Sequence, residues 1–453
     1  MRQATSWIIL VFLALPLWAQ PPQPLSLNQA IQLALTQNPR LTATAKDVEA
    51  ARAQVGSTSA TLYPQVNLNS SVSSQSQRGG GGGGNNAALG AVLSNLVGNT
   101  GGGGGGQGLT QISIGVQQIL LDFGKRAEAI RAAQKQAEAT VHEAQGVRQD
   151  IILEVRQRYF QTHTDQETVR IQQGVVQNQE RHLRESQGFY KAGLQARNEM
   201  TKAEADLAQA RLDLVLAQNA LEQDWLALNQ SMGISQTTPY ELEVKAIDPA
   251  WEPNLERVVA VSYQYRPEAR QLAALIEATT ARMEQAYRNR YPTIGANAQT
   301  GYRGINGPLE DFWSVGINLN FNLFNGFLDR YQADGFRAQA ESLAALLEST
   351  RQQVYRDTAA ALINLRNARA AIETSAVNVR SSVDNFTLAR KRYESGLGSN
   401  LEYQDAQILL ARAQIGEVLA LNSYRVGLAA LLWATGIEDL DELKKLVAEG
   451  SQP

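Results

Sequence analysis

Cysteine is missing from all 453 residues, and histidine occurs only three times. No thiol nucleophile, thiolate-held zinc or iron–sulfur centre, or lipid-modified N-terminal cysteine is available. His142, His163 and His182 stand 21 and 19 residues apart on polar helical sequence, which is no metal-ligand spacing. They read as surface histidines, and neither metal nor cofactor is expected. Lys and Arg number 41 against 44 Asp and Glu, a net charge of −3, so the strongly basic surface of a nucleic-acid binder is also absent. Asp122-Phe123-Gly124 echoes a kinase triplet without any accompanying motif, and no nucleophile elbow, Walker or HExxH pattern occurs. An enzyme is not expected.

Long apolar runs are scarce too. Trp7 to Trp18, twelve residues followed by Ala19-Gln20, is shorter than the ~20 residues of a spanning helix and reads as a secretory signal, 1–19, cleaved near Ala19. No later stretch approaches a transmembrane helix. The mature chain is therefore expected in the periplasm, outside the cell, or in a membrane as a β-barrel, since only helices and closed barrels satisfy their backbone in lipid.

What the chain does have is an internal repeat. Pro39 to Tyr63-Pro64 matches Pro267 to Tyr291-Pro292 at an offset of 228. Ile112-Ser-Ile-Gly-Val116 matches Trp313-Ser-Val-Gly-Ile317 at 201, and Asp122-Phe-Gly124 matches Phe324-Asn-Gly326 at 202. Tyr190-x-x-Gly193-Leu194 through Gly233 matches Tyr393-x-x-Gly396-Leu397 through Gly436 at 203. The offset drops by 27 after the first landmark, so the first half carries an insertion, and 79–108, with 15 glycines in 30 residues, supplies it. Glycine loses too much backbone entropy to order itself in such runs, which predicts a flexible loop.

Around that loop, and again in the second half, apolar and polar residues alternate. Val315, Ile317, Leu319, Phe321 and Leu323 interleave with Ser314, Gly316, Asn318, Asn320 and Asn322. An apolar face backed by uncharged polar residues over ~10 positions fits a membrane-barrel strand, lipid outside and water inside. Strands are predicted near 62–76, 110–121, 291–303 and 313–324. Four cannot close a barrel, so the open edges must pair with further copies: eight strands in a dimer, twelve in a trimer, sixteen in a tetramer.

The rest is helical. Residues 125–187 lack proline, and at ~1.5 Å per residue such a helix would run roughly 95 Å. Leu207, Leu214, Leu221 and Leu228 keep heptad spacing beside Ala203, Ala210 and Ala217, the pattern of a closely packed coiled-coil seam. Helices are predicted over 125–187, 194–232, 327–393 and 397–433, with Gly193 and Gly396 at two hairpin tips. A proline-containing linker, 235–253, separates a first repeat, 20–234, from a second, 254–436, and 437–453 is a tail.

These features resemble the TolC-like outer-membrane efflux proteins over nearly the whole mature chain. The likeness rests on the duplicated halves, Asn38-Pro39, Leu62-Tyr63-Pro64, Arg290-Tyr291-Pro292, and above all Tyr393-Glu-Ser-Gly396-Leu-Gly-Ser-Asn-Leu-Glu402-Tyr-Gln-Asp405. The resemblance implies a mixed α and β membrane protein. Its halves, each strand-strand-helix-helix, would form a trimeric twelve-stranded outer-membrane barrel continued by a long periplasmic α-helical barrel, with the linker in its equatorial region and the glycine-rich loop outside the cell. It implies a passive exit duct for efflux or type I secretion, joined to an inner-membrane pump through a periplasmic adaptor protein. It further implies that Glu402 and Asp405 ring a periplasmic constriction, that a gate link runs from Tyr393 toward Glu199, and that Gly193, Leu194, Gly396 and Leu397 form the hairpin tips. The arginine that the family's best-known member carries two residues after the tip glycine is Gly398 here. A structural coiled-coil surface protein or adhesin is the alternative, explaining the helices but neither the alternating strands nor the duplication.

Overall fold

The computed structural model describes residues 24–76, 106–234, 240–244, 251–305 and 307–449. The expected signal peptide, most of the glycine-rich insertion and much of the linker lie outside the described residues. The chain divides into two compact units: Ala45–Ala144 with Pro267–Arg351, and Met1–Thr44, Gln145–Arg266 and Gln352–Pro453. Two helices of 67 residues each, α3 (Lys125–Lys191) and α7 (Leu328–Glu394), contribute to both units, as does the shorter α2 (Pro39–Ser59). Neither of the two long helices contains proline, and both are rich in Ala, Gln, Glu and Arg, which favour helix.

The first unit also holds the larger part of α2, from Ala45 on, α6 (Pro267–Arg288) and a four-stranded antiparallel sheet in the order β2-β3-β5-β6. These strands are β2 (Gln65–Ser76), β3 (Gly106–Leu121), β5 (Thr293–Ile305) and β6 (Glu310–Asn320). Register decides its two faces. Val66, Val116, Ala298 and Val315 pair across all four strands, and the adjacent row is Asn67, Gly115, Gln299 and Ser314. Cross-strand partners share a face, so one face is apolar and the other carries uncharged polar groups. Val315 and Ile317 stay exposed in the single chain, at 73% and 76%. The outer edges of β2 and β6 have no strand beside them among the described residues.

The strand-to-helix turns are tight. Phe123 and Gly124 both take positive φ, while the Asp122 carboxylate accepts from Gly124 N at 3.1 Å and from Arg126 N at 3.0 Å. The kinase-like triplet is thus a carboxylate-capped turn into a helix.

The other unit is built around the ends of two hairpins. Its remaining elements are β1 (Pro24–Ser26), α1 (Leu27–Gln37), α4 (Arg197–Met232), β4 (Glu241–Glu243), α5 (Leu255–Tyr265), α8 (Asn400–Thr435) and α9 (Leu440–Glu449). One core joins Leu25, Ala30, Ile151, Tyr159, Leu228 and Met232; a second joins Val258, Leu365, Tyr424, Leu431 and Leu443. β1 and β4 pair in parallel, and the buried Tyr159 hydroxyl lies 2.7 Å from the carbonyl oxygens of both Leu25 and Glu243.

The repeat reappears here as the same backbone contact made twice. Gly233, φ 72°, ends α4 where a Cβ would lie 2.7 Å from Gln37 O; Gly436, φ 76°, ends α8 where one would lie 2.8 Å from Tyr265 O. One expectation needs correcting: α8 is, by length and composition, apolar enough to cross a membrane. Tyr424, Leu431 and Leu432, in its C-terminal part, belong to the second core, whereas Ile408, Leu409 and Leu419 stay exposed in the single chain.

Candidate functional site

Both hairpins turn by the same local rule. Gly193 and Gly396 adopt φ 72°, the left-handed conformation that glycine takes without a Cβ penalty. Gly193 N donates to Tyr190 O at 3.0 Å and Leu194 N to Phe189 O at 2.9 Å; Gly396 N donates to Tyr393 O at 3.0 Å and Leu397 N to Arg392 O at 2.9 Å. Each pair closes the last helical turn and leaves the following leucine outside, Leu194 72% and Leu397 77% exposed. The second turn is tighter still. A Cβ at Gly398 would sit 3.0 Å from Arg392 Cβ and from Tyr393 N, so an arginine there could not be accommodated without a shift.

Below the turns, three helices build an aromatic cluster. Phe386 and Tyr393 come from α7, Tyr403 and Ala406 from α8, and Phe189 from α3. Tyr393 and Tyr403 stack at 5.5 Å between ring centroids. Burial pushes the Tyr403 phenol up to about 12, so it stays neutral. His182 of α3 lies against both tyrosines and is 0% exposed. The surface reading of this histidine is therefore wrong: α3 packs on three neighbours here, which encloses even its polar positions.

Polar contacts tie the helices together. The Tyr393 hydroxyl lies 3.4 Å from Ser186 Oγ and accepts from Gln195 Nε2 at 3.3 Å. Glu199 accepts from Asn400 Nδ2 at 2.7 Å. Tyr393 and Glu199 thus take different partners. Two buried amides, Gln179 and Gln404, exchange hydrogen bonds at 2.9 and 3.3 Å between α3 and α8.

Glu402 and Asp405 occupy one exposed face of the first turns of α8, while Tyr403, Gln404, Ala406 and Gln407 point inward. The i, i+3 spacing accounts for the shared face. Ser399 caps this helix by accepting from Glu402 N at 3.1 Å, and Arg392 Nε meets Glu402 Oε1 at 3.1 Å. Of the remaining partners, Gln179, Gln404 and Asn400 were not singled out in the sequence, and His182 was read there as a surface residue. Gln179, His182 and Ser186 have helical-face spacing, but all three are polar and give no hydropathy signal.

The outer membrane efflux protein family profile matches residues 30–234 and 261–437. The chain belongs to the outer membrane efflux protein family. Among curated relatives of this family, Protein CyaE of Bordetella pertussis is 27% identical over 449 residues, 96% of this chain and 89% of that protein. The probable efflux pump outer membrane protein TtgC of Pseudomonas putida is 23% identical over 429 residues, 91% of this chain and 83% of its own length. Among solved structures, the Campylobacter jejuni CmeC outer membrane channel superposes with a TM-score of 0.76 at 17% identity, covering 94% of this chain and 89% of that one. The fold is that of these outer-membrane channels.

Proposed function

We propose that the chain is one protomer of a homotrimeric exit duct in the outer membrane, serving a tripartite efflux or type I secretion system. Three copies supply twelve strands that close through the open edges of β2 and β6, with the apolar row through Val66 and Val315 toward lipid and the row through Asn67 and Ser314 toward water. The observation that carries this reading is the four-stranded sheet itself: two-faced along the rows of Val315 and Ser314 and, among the described residues, open at both edges.

The duct is passive and gated at its periplasmic tips. Glu402 and Asp405 line the constriction, six carboxylates per trimer that favour cations. Tyr393 and Glu199 belong to the gate link, each holding a neighbouring helix through Ser186, Gln195 and Asn400. The exposed leucines beside Gly193 and Gly396 meet a periplasmic adaptor, which couples the duct to an inner-membrane pump. Native mass measurement in detergent together with single-channel recording in planar bilayers tests the reading. A trimer with discrete conductance is expected; a monomer that conducts nothing would overturn it in favour of a coiled-coil surface protein.

A further inference from the structure

His182 sits at the centre of the tip cluster, and neither of its ring nitrogens has a hydrogen-bond partner. Its imidazole lies 5.1 Å from the Tyr393 ring and 4.9 Å from the Tyr403 ring, so one side chain of α3 spans the contact with both α7 and α8. Asp206 Oδ2 and Asn400 Oδ1 are likewise buried and unpartnered. Such groups are uncommon in packed interiors, and here they gather at the junction of four helices.

The charges facing this ring are mixed. From α4 they are Asp206, Glu199 and Lys202; α8 contributes the neutral Asn400 and Tyr403. Arg181 and Glu185 of α3, with Arg390 and Glu394 of α7, act on the adjoining Tyr403. Burial is the largest influence and holds the imidazole below its ordinary value. Asn400, Asp206 and Glu199 oppose that shift, Asn400 without reaching hydrogen-bond geometry, and Lys202 adds to it.

We propose that His182 is a proton-operated latch for the helix-hairpin tips: neutral, it packs between Tyr393 and Tyr403 and holds α3 to α7 and α8; protonated, it takes on water and the aromatic stack parts. The latch rests on the reading of these tips as the gate. Its sign follows from linkage. The packed tip binds a proton more weakly than a parted tip, in which the ring is hydrated and titrates near ~6.5. Acidification through that value therefore favours the parted state, about tenfold in the parted-to-packed ratio for each unit separating the two values. Above it the latch stays packed.

Hydrogen exchange of the purified trimer, normalised for intrinsic rates at each pH, reads the latch directly. Amides in 178–195 and 390–407 should lose at least tenfold protection between pH 7.5 and 5.0 in the native chain and hold it in His182→Phe. His182→Gln, also untitratable, serves if the phenylalanine variant fails to assemble. An unchanged pH response in either assembled variant would overturn the latch. Open probability in planar bilayers should follow the same pattern. Exchange that responds as expected in a protein without conductance would sink the duct reading and the gating role with it, leaving only the pH-dependent packing of His182; conductance with pH-insensitive tip exchange would sink the latch alone.

Discussion

Gln179 and Gln404 form a reciprocal amide pair between α3 and α8, each donating to the other's carbonyl oxygen, at 2.9 and 3.3 Å. A buried amide that loses its partner keeps its desolvation cost. Gln179→Ala should therefore destabilise the protein by about 1–3 kcal/mol, whereas Gln179→Leu with Gln404→Leu should cost clearly less than the sum of the single changes. A double-mutant cycle by denaturant titration reads the coupling.

The four helix-ending glycines should fall into two classes. Gly193 and Gly396 face open space, so alanine there meets only the left-handed backbone cost of about 1–2 kcal/mol. Gly233 and Gly436 add a clash with backbone atoms at 2.7 and 2.8 Å. Alanine at either should lower the melting temperature further than at both tips. Equal losses at all four sites would show that the two backbone contacts yield freely.

Replacing both Glu402 and Asp405 by Ala should reduce cation preference and weaken block by polyvalent cations. Stability should hardly change, because both carboxylates are exposed and the Arg392–Glu402 pair, itself half-exposed, is worth at most about 1 kcal/mol. Tyr393→Phe removes a hydroxyl that Ser186 and Gln195 share and should raise open probability. Single-channel recording separates the two effects. Unaltered selectivity in the double variant would place the acidic face outside the conduction path.

The half-buried Asp165 carboxyl is pushed up to about 7, by burial first and then by Asp224 beside it. The unfolded chain releases that proton near 3.8, so between these values the native state holds more protons and stability falls as pH rises. Asp165→Asn should raise the melting temperature at pH 8 and leave it nearly unchanged at pH 4. A variant that gained nothing at pH 8 would mean that the pair is relieved by solvent.

Replacing 79–103 by a short turn should leave trimer assembly intact, since it spares every described pair of β2 with β3, from Gln65 with Gln117 to Ser76 with Gly106. Gel filtration in detergent checks this.

Legibility in the sequence followed from whether a signal was local. The alternation through Val315 and Ile317 announces a two-faced strand, and glycine at 193 and 396 announces a left-handed helix end, because each depends on a few adjacent residues. The neighbour relation of β3 and β5, with its register shift between Ile119 and Leu121, joins residues far apart in the chain and leaves no local trace. The tip cluster was hidden for a related reason: Gln179, His182 and Ser186 are buried by three other helices, and hydropathy scores them as surface. Tyr393 and Glu199 were legible as tip residues, but their partners Gln195 and Asn400 depend on rotamers that sequence does not encode.

The paired lengths, 67 and 67 residues for α3 and α7, 36 and 36 for α4 and α8, make each hairpin a gauge for the other. Excising one heptad from both arms of the second hairpin would withdraw its tip by roughly 10 Å. Gln404 would then pass Gln179 by two helical turns, and Tyr403 would lose His182. The same excision made in both hairpins would bring every one of those contacts back into line. Length behaves here as a coupled trait: tolerable when altered in concert, and ruinous when altered on one side alone.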